Sequence, residues 1–296
     1  MSAPDLLVVV DPAARSVDGE SVRIARDVLC AGGRGVKVCL PADGEEAERA
    51  LARRGSRRPV VVGDDRALLR TVRLLHRERD LDGCALGMVP VGAAGQVALA
   101  RALGVPLSPV EASRAVLSGR DEGRDLLVDD SGGVVLRAVR IPAGLAGASP
   151  GPPAGRPDGP GAARRPDPSG PLWGPPLRGC RRLVQTLARP LHGHDAGEAG
   201  ADRLRVEVDG TLLADLDRPV EQLWLAPGGD GLAELALRQR SCAEVRVRAK
   251  SVTVSGPDFR YRADVLLGGP VRGRTWTSMA DAWHLTLPQP QQPSAA

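Results

Sequence analysis

The stretch from Leu86 to Pro106, LGMVPVGAAGQVALARALGVP, holds the residues best suited to chemistry. The apolar run Leu86 to Val89 predicts a buried strand, Pro90 and Gly92 a turn, and Ala93 to Leu103 a helix of small and apolar residues. Gly104 stops that helix and Pro106 follows it. A strand that turns through glycine into a helix aims backbone N–H groups and the positive pole of the helix at one point. Such a point suits phosphate. The same turn occurs in α/β units that bind nothing, so turn geometry alone stands as the alternative for Gly92 and Gly95. His192, His194 and Asp195 form HGHD, a spacing a weak metal site could use, but no further ligand lies nearby in sequence. Cys30, Cys39, Cys84, Cys180 and Cys242 are odd in number and scattered. With no CxxC pair, they read as reduced, buried thiols of a cytosolic protein.

A phosphate-binding turn needs a sheet to carry it, and the first part of the chain supplies one. Leu6 to Val10 is a continuous apolar run ended by Asp11-Pro12, as for a strand covered on both faces. Gly35 to Leu40, Pro59 to Val62 and Cys84 to Val89 predict three more strands. Helical spacing fills the intervals at Val17–Cys30, Glu45–Arg53 and Asp65–Glu78. Ser108 to Leu117 predicts a further helix, with Ser108 as its cap and Pro109 in its first turn. Alternation of this kind implies a three-layer, mostly parallel sheet, with ligands beyond the C-terminal strand ends. Those ends are Asp11, Gly63 and Gly92.

After about residue 125 the pattern changes. Asp125 to Val128 and Val134 to Ile141 predict a hairpin around Asp130–Gly133. Residues 142–199 are rich in proline, glycine, alanine and arginine and predict a largely disordered insert, with Trp173 as one residue that could dock locally. From Leu204 onward short alternating strands predict a β-sandwich-like region, with a hairpin turn at Asp209-Gly210. Gly228-Gly229-Asp230-Gly231 joins two such strands and reads as a turn, because no helix follows to present its amides. The division expected is 1–125 for the α/β domain, 126–141 with 200–290 for the β domain, and a tail at 291–296.

The chain has 296 residues, 42% hydrophobic and 26% charged, enough for one large or two ordinary domains. Phe, Tyr and Trp make up 2%, so the core must be Val, Leu and Ala. The net charge of +4 is spread among 36 acidic residues, which argues against a nucleic-acid groove. LLVVV is too short for a signal peptide, and no run approaches ~20 apolar residues, so no transmembrane segment is expected.

In order and spacing the chain resembles the diacylglycerol kinase catalytic family, including the bacterial lipid kinases, whose N-terminal fold is NAD kinase-like. The matching segments are VVVDPAARS, VVVGDDRALLRTVRLL, LGMVPVGAAGQVALARALGVP, PVEASRAVLSGR and RAKSVTVSGPDFRYRAD. The resemblance implies an NAD kinase-like α/β half followed by an all-β half. It implies ATP and Mg²⁺ as cofactors and transfer of a phosphoryl group to a lipid hydroxyl, such as that of diacylglycerol at a membrane surface. It further implies a cytoplasmic protein peripheral to the membrane, with a homodimer among the assemblies to consider.

The family's motifs are eroded here. Gly-Gly-Asp-Gly-Thr aligns with Gly63, Asp64, Asp65, Arg66 and Ala67, and Pro-x-Gly-Thr-x-Asn-Asp places Gly92, Ala93, Ala94, Gly95 and Gln96. The family's Asp-Gly-Glu aligns with Asp264, Val265 and Leu266. By resemblance Gly63, Asp65, Arg66, Gly92 and Ala93 would contact the nucleotide, Asp65 the metal, and Asp264 would be the base for the lipid hydroxyl. Alternatives remain beside each. Asp65 also suits a helix cap, Arg66 a solvated surface position, and Asp264 an ordinary loop aspartate near Arg262. Losing one preorganised polar contact can cost on the order of 10²-fold in rate. The expectation is a weakened lipid kinase or, alternatively, an inactive pseudokinase that binds or scaffolds.

Overall fold

A computed structural model describes residues 5–143 and 202–289. Strand β1 (Leu6–Val10) leads into helices α1 (Pro12–Val17) and α2 (Gly19–Gly32). Then come β2 (Lys37–Cys39), α3 (Gly44–Ala52), β3 (Arg58–Gly63), α4 (Asp65–Arg77), β4 (Ala85–Pro90), α5 (Ala98–Ala102) and α6 (Pro109–Ser118). The four strands pair in parallel in the order β2-β1-β3-β4. Because side chains alternate along a strand, β1 feeds both faces. Leu6, Val8 and Val10 pack with Val22, Ala25 and Leu29 of α2 and Ala112 and Val116 of α6. Leu7 and Val9 pack with Ala47 and Leu51 of α3 and Leu74 of α4. Helices on both faces make this the expected three-layer α/β arrangement.

Two local expectations change. The helix predicted over 17–30 is α2, and an unpredicted short helix, α1, precedes it; Asp18 ends α1 and its side chain accepts the Ser21 N–H to start α2. The helix predicted over 93–103 contracts to α5, Ala98–Ala102. Gly92 has φ 153°, a conformation a side chain would strain, and the five residues from it form a turn instead of helix. Ser108 caps α6 through the Glu111 N–H, as its spacing predicts.

The remainder is antiparallel and strand-rich. β5 (Arg120–Asp129) turns through residues 130–133 into β6 (Val134–Val135), followed by β7 (Val139–Ile141). After the segment outside the described residues come β8 (Arg205–Val208), β9 (Thr211–Ala214), β10 (Val220–Pro227), β11 (Ala233–Gln239), β12 (Val245–Ala249), β13 (Ser251–Ala263) and β14 (Leu266–Leu287). Asp209 and Gly210 both have positive φ at the β8–β9 hairpin, and Gly228–Gly231 is a turn between β10 and β11. Trp173, the HGHD residues, nearly all of the proposed insert and the tail lie outside the described residues.

Strand β14 joins the two halves. It pairs antiparallel with β13 and β5, then parallel with β4 at His284 and Leu285. Its Trp276 is buried in the β core with Phe259 and Tyr261, whereas Trp283 is buried with Leu68, Leu75 and Leu103 of the α/β half. The described residues accordingly fall within one compact unit.

Candidate functional site at the strand ends

The end of β3 presents Gly63 between two neighbours. A Cβ at Gly63 would lie 2.8 Å from Asp11 Cβ and 3.0 Å from Ala67 Cβ, so close packing calls for glycine there. Asp11 ends β1; its Oδ1 accepts the Ala13 N–H at 2.9 Å and its Oδ2 pairs with Arg70 of α4. Asp64 caps α4, accepting the Ala67 N–H at 2.9 Å. Two carboxylates, Asp64 and Asp65, thus already stand at the positive pole of α4, where a phosphate would have to sit. Arg66 is exposed on the first turn.

Asp65 points inward and is 1% exposed. Its Oδ2 accepts the Leu99 N–H at 2.7 Å and its Oδ1 the Ala100 N–H at 2.9 Å. Its own N–H donates to the Gln96 carbonyl at 2.9 Å. The aspartate therefore caps a helix, but that helix is α5, 34 residues on, and Asp64 caps α4. Burial pushes its carboxyl above the ordinary range, and the Leu99 and Ala100 amides oppose the shift.

The Gly92–Gln96 loop closes on itself. Gln96 Oε1 accepts the Ala93 N–H at 2.9 Å, and the Gln96 N–H donates to the Ala93 carbonyl at 2.7 Å. The Ala93 amide, the expected nucleotide contact, is met by this carboxamide. A Cβ on Gly92 would meet the same Gln96 side chain at 3.3 Å.

Asp264 lies in the two-residue turn joining β13 to β14, with φ 52°. Its carboxylate accepts three backbone N–H groups, from Leu136 at 2.8 Å and from Arg137 and Ala138 at 2.9 Å each. Its own N–H donates to the Ala138 carbonyl at 2.8 Å. Burial pushes its pKa up to about 6 against the pull of these amides. Arg262, its expected neighbour, donates instead to the Ala143 carbonyl at 3.1 Å.

Both carboxylates border one apolar cluster. Leu99 and Ala100, whose amides hold Asp65, belong to it together with Leu136, and Val265 and Leu266 pack against it. Neither aspartate lines the cavities of about 1000, 380 and 300 Å³. The largest is bordered by Arg70, Arg73 and Arg77 of α4 and by Asp281 of β14. Among the described residues no group of three His, Cys, Asp or Glu side chains could hold a metal ion. With Asp65 committed to amides and the Ala93 N–H covered, the residues present do not fit a Mg²⁺-bound triphosphate as the motif alignment would place it.

Sequence reasoning missed three contacts. Arg70 pairs with Asp11, Gln96 closes its own loop, and Asp125 accepts the Gly231 N–H at 2.6 Å and the Asp281 N–H at 2.9 Å. Only the second is local in sequence, spanning three residues; the Arg70–Asp11 pair spans 59 residues and the Asp125 contacts more than 100.

No protein-family model matches the chain, and no curated protein sequence matches it. Solved structures do. A diacylglycerol kinase structure from Bacillus anthracis str. Sterne is 11% identical, with a TM-score of 0.64 and 100% of both chains covered. A second structure from that strain, provisionally assigned as a diacylglycerol kinase, is 12% identical, with a TM-score of 0.66 over 97% of this chain and 98% of its own. At these identities the likeness establishes a shared fold over essentially the whole chain.

Proposed function

We propose that this protein is a diacylglycerol kinase-like fold that has given up phosphoryl transfer and serves as a binding or scaffold protein. The observation that carries this reading is the commitment of both candidate carboxylates to backbone amides, Asp65 to Leu99 and Ala100 and Asp264 to Leu136, Arg137 and Ala138. Phosphoryl transfer depends on positioned charge: cradled phosphates, a carboxylate-held metal and a group that accepts the hydroxyl proton. Here the polar groups at the matching positions hold the protein's own backbone. Fold likeness supports descent from lipid kinases, and among the described residues no helix is long and apolar enough to cross a membrane.

One observation favours the second reading, a weakened kinase acting on a lipid hydroxyl. A carboxyl that titrates at about 6, as Asp264 does, has the basicity a general base needs near neutrality. Phosphorylation of diacylglycerol in mixed micelles with Mg²⁺ and ATP separates the two. The expected result is no phosphatidic acid above the protein-free background. Product formed by the wild type and abolished in Asp264→Asn would overturn the inactive reading.

A further inference from the structure

A second polar site lies on the free edge of the parallel sheet, away from Gly63 and Gly92. Edge strand β2, helix α3 and the connection from α3 to β3 enclose a cavity of about 300 Å³. Lys37, Arg49, Arg53, Arg54 and Arg57 line it, against a single acid, Glu46. Glu46 is engaged elsewhere, accepting the Ala42 N–H at 2.7 Å. Arg54 is buried and forms part of the wall, paired with Asp80 and donating to the Leu51 carbonyl. Arg49 meets Glu45 only at 3.8 Å with both side chains exposed, a contact of little worth in water. Lys37, Arg53 and Arg57 have no carboxylate within ion-pair distance among the described residues.

Arg57 adds a second, independent sign. Its Nε is buried with no hydrogen-bond partner among the described residues. A buried N–H without an acceptor is unfavourable, and buried polar groups are normally met. The negative pole of α3 accounts for roughly half an elementary charge, far less than the positive charge collected here.

We propose that this edge pocket binds a phosphate-bearing anion. Arginine guanidinium groups match phosphate oxygens in paired, charge-assisted hydrogen bonds, and lysine adds a mobile point charge. Arg57 and Arg53 would supply the directed donors, with Arg49 and Lys37 closing the rim. The ligand's phosphate can belong to a soluble molecule or to a lipid headgroup, since the same oxygens are read in either case. The site does not depend on whether the strand-end loops retain catalysis.

Titration calorimetry with inorganic phosphate and pyrophosphate at low ionic strength tests the soluble source. Co-sedimentation with phosphatidylcholine vesicles, with and without phosphatidic acid, tests the headgroup. Arg57→Gln and Arg53→Gln are each expected to weaken binding by at least tenfold, while Arg114→Gln on α6 leaves it unchanged. Salt should weaken it in the wild type. Binding of soluble phosphates alone supports the pocket with a small-molecule ligand, and binding of the acidic vesicles alone supports it with a headgroup. If neither probe binds, or if wild type and both variants bind equally, the proposal fails. Should Arg57→Gln unfold, Arg53→Gln, at an exposed position, carries the test. ATP binding that survives Arg57→Gln belongs to the strand-end loops, so the two readings can fail separately.

Discussion

The Asp264 carboxylate accepts the Leu136 N–H at 2.8 Å across 128 residues of chain. With the Arg137 and Ala138 amides it ties the β13–β14 turn to the segment between β6 and β7. The aspartate that aligns with a catalytic base is thus a clamp between two distant loops.

The clamp should be visible in stability. Asp264→Ala would leave three amides without their acceptor, and each unmet buried donor costs roughly 1–3 kcal/mol. Water reaching the turn would meet some of them, so the expected loss is about 3 kcal/mol in urea denaturation. Unchanged stability would mean that the contacts are incidental.

The pH dependence has a definite sign. Asp264 titrates at about 6 in the folded protein, above the ordinary aspartate value near ~3.9. Between these values the native state holds more protons than the unfolded chain, so stability falls as pH rises. The proton-linked part of the stability that Asp264 contributes is full below pH ~4 and gone above its folded pKa. The unfolding free energy of wild type minus that of Asp264→Asn should fall by on the order of 2 kcal/mol across this window and flatten beyond it. A flat difference in denaturation curves from pH 4 to 7 would contradict the raised value.

Asp65→Ala removes the acceptor for the Leu99 and Ala100 amides at a position 1% exposed. A loss of about 2–4 kcal/mol and a lowered melting temperature are expected by circular dichroism. Addition of Mg²⁺ should not alter the melting of the wild type. Metal-dependent stabilisation that disappears in Asp65→Asn would restore the metal-ligand role.

Gly63→Ala would press a methyl group against Asp11 Cβ and Ala67 Cβ, both at 3.0 Å or less. Overpacking of this kind costs typically 1–3 kcal/mol. A stability loss in that range, measured by chemical denaturation, is expected without any ligand present. An unchanged variant would mean that the β3–α4 turn relaxes freely.

The parts of the fold legible in the sequence are those whose signal is local. LLVVV announced a strand covered on both faces, and all five residues of β1 are buried. Asp209-Gly210 announced a hairpin, and Ser108-Pro109 a helix start, since turn and cap chemistry act over a few residues. Local signals also misled. Ala93 to Gln96 reads as helix from its small residues, but Gly92 and the Gln96 side chain hold it as a turn. Helix α1 went unpredicted, because six residues are too few to show an apolar period.

By itself the sequence determined the strand and helix series, the change to antiparallel pattern after about residue 125, and which aspartates align with a kinase motif. Only the tertiary structure decided what those aspartates do. Asp65 finds its donors 34 residues away and Asp264 up to 128 residues away. A carboxylate exposed to a ligand and one held by backbone amides are the same letter in the chain. What separates them is which N–H groups folding brings within about 3 Å, because at that distance a buried charge is met by donors or must be neutralised.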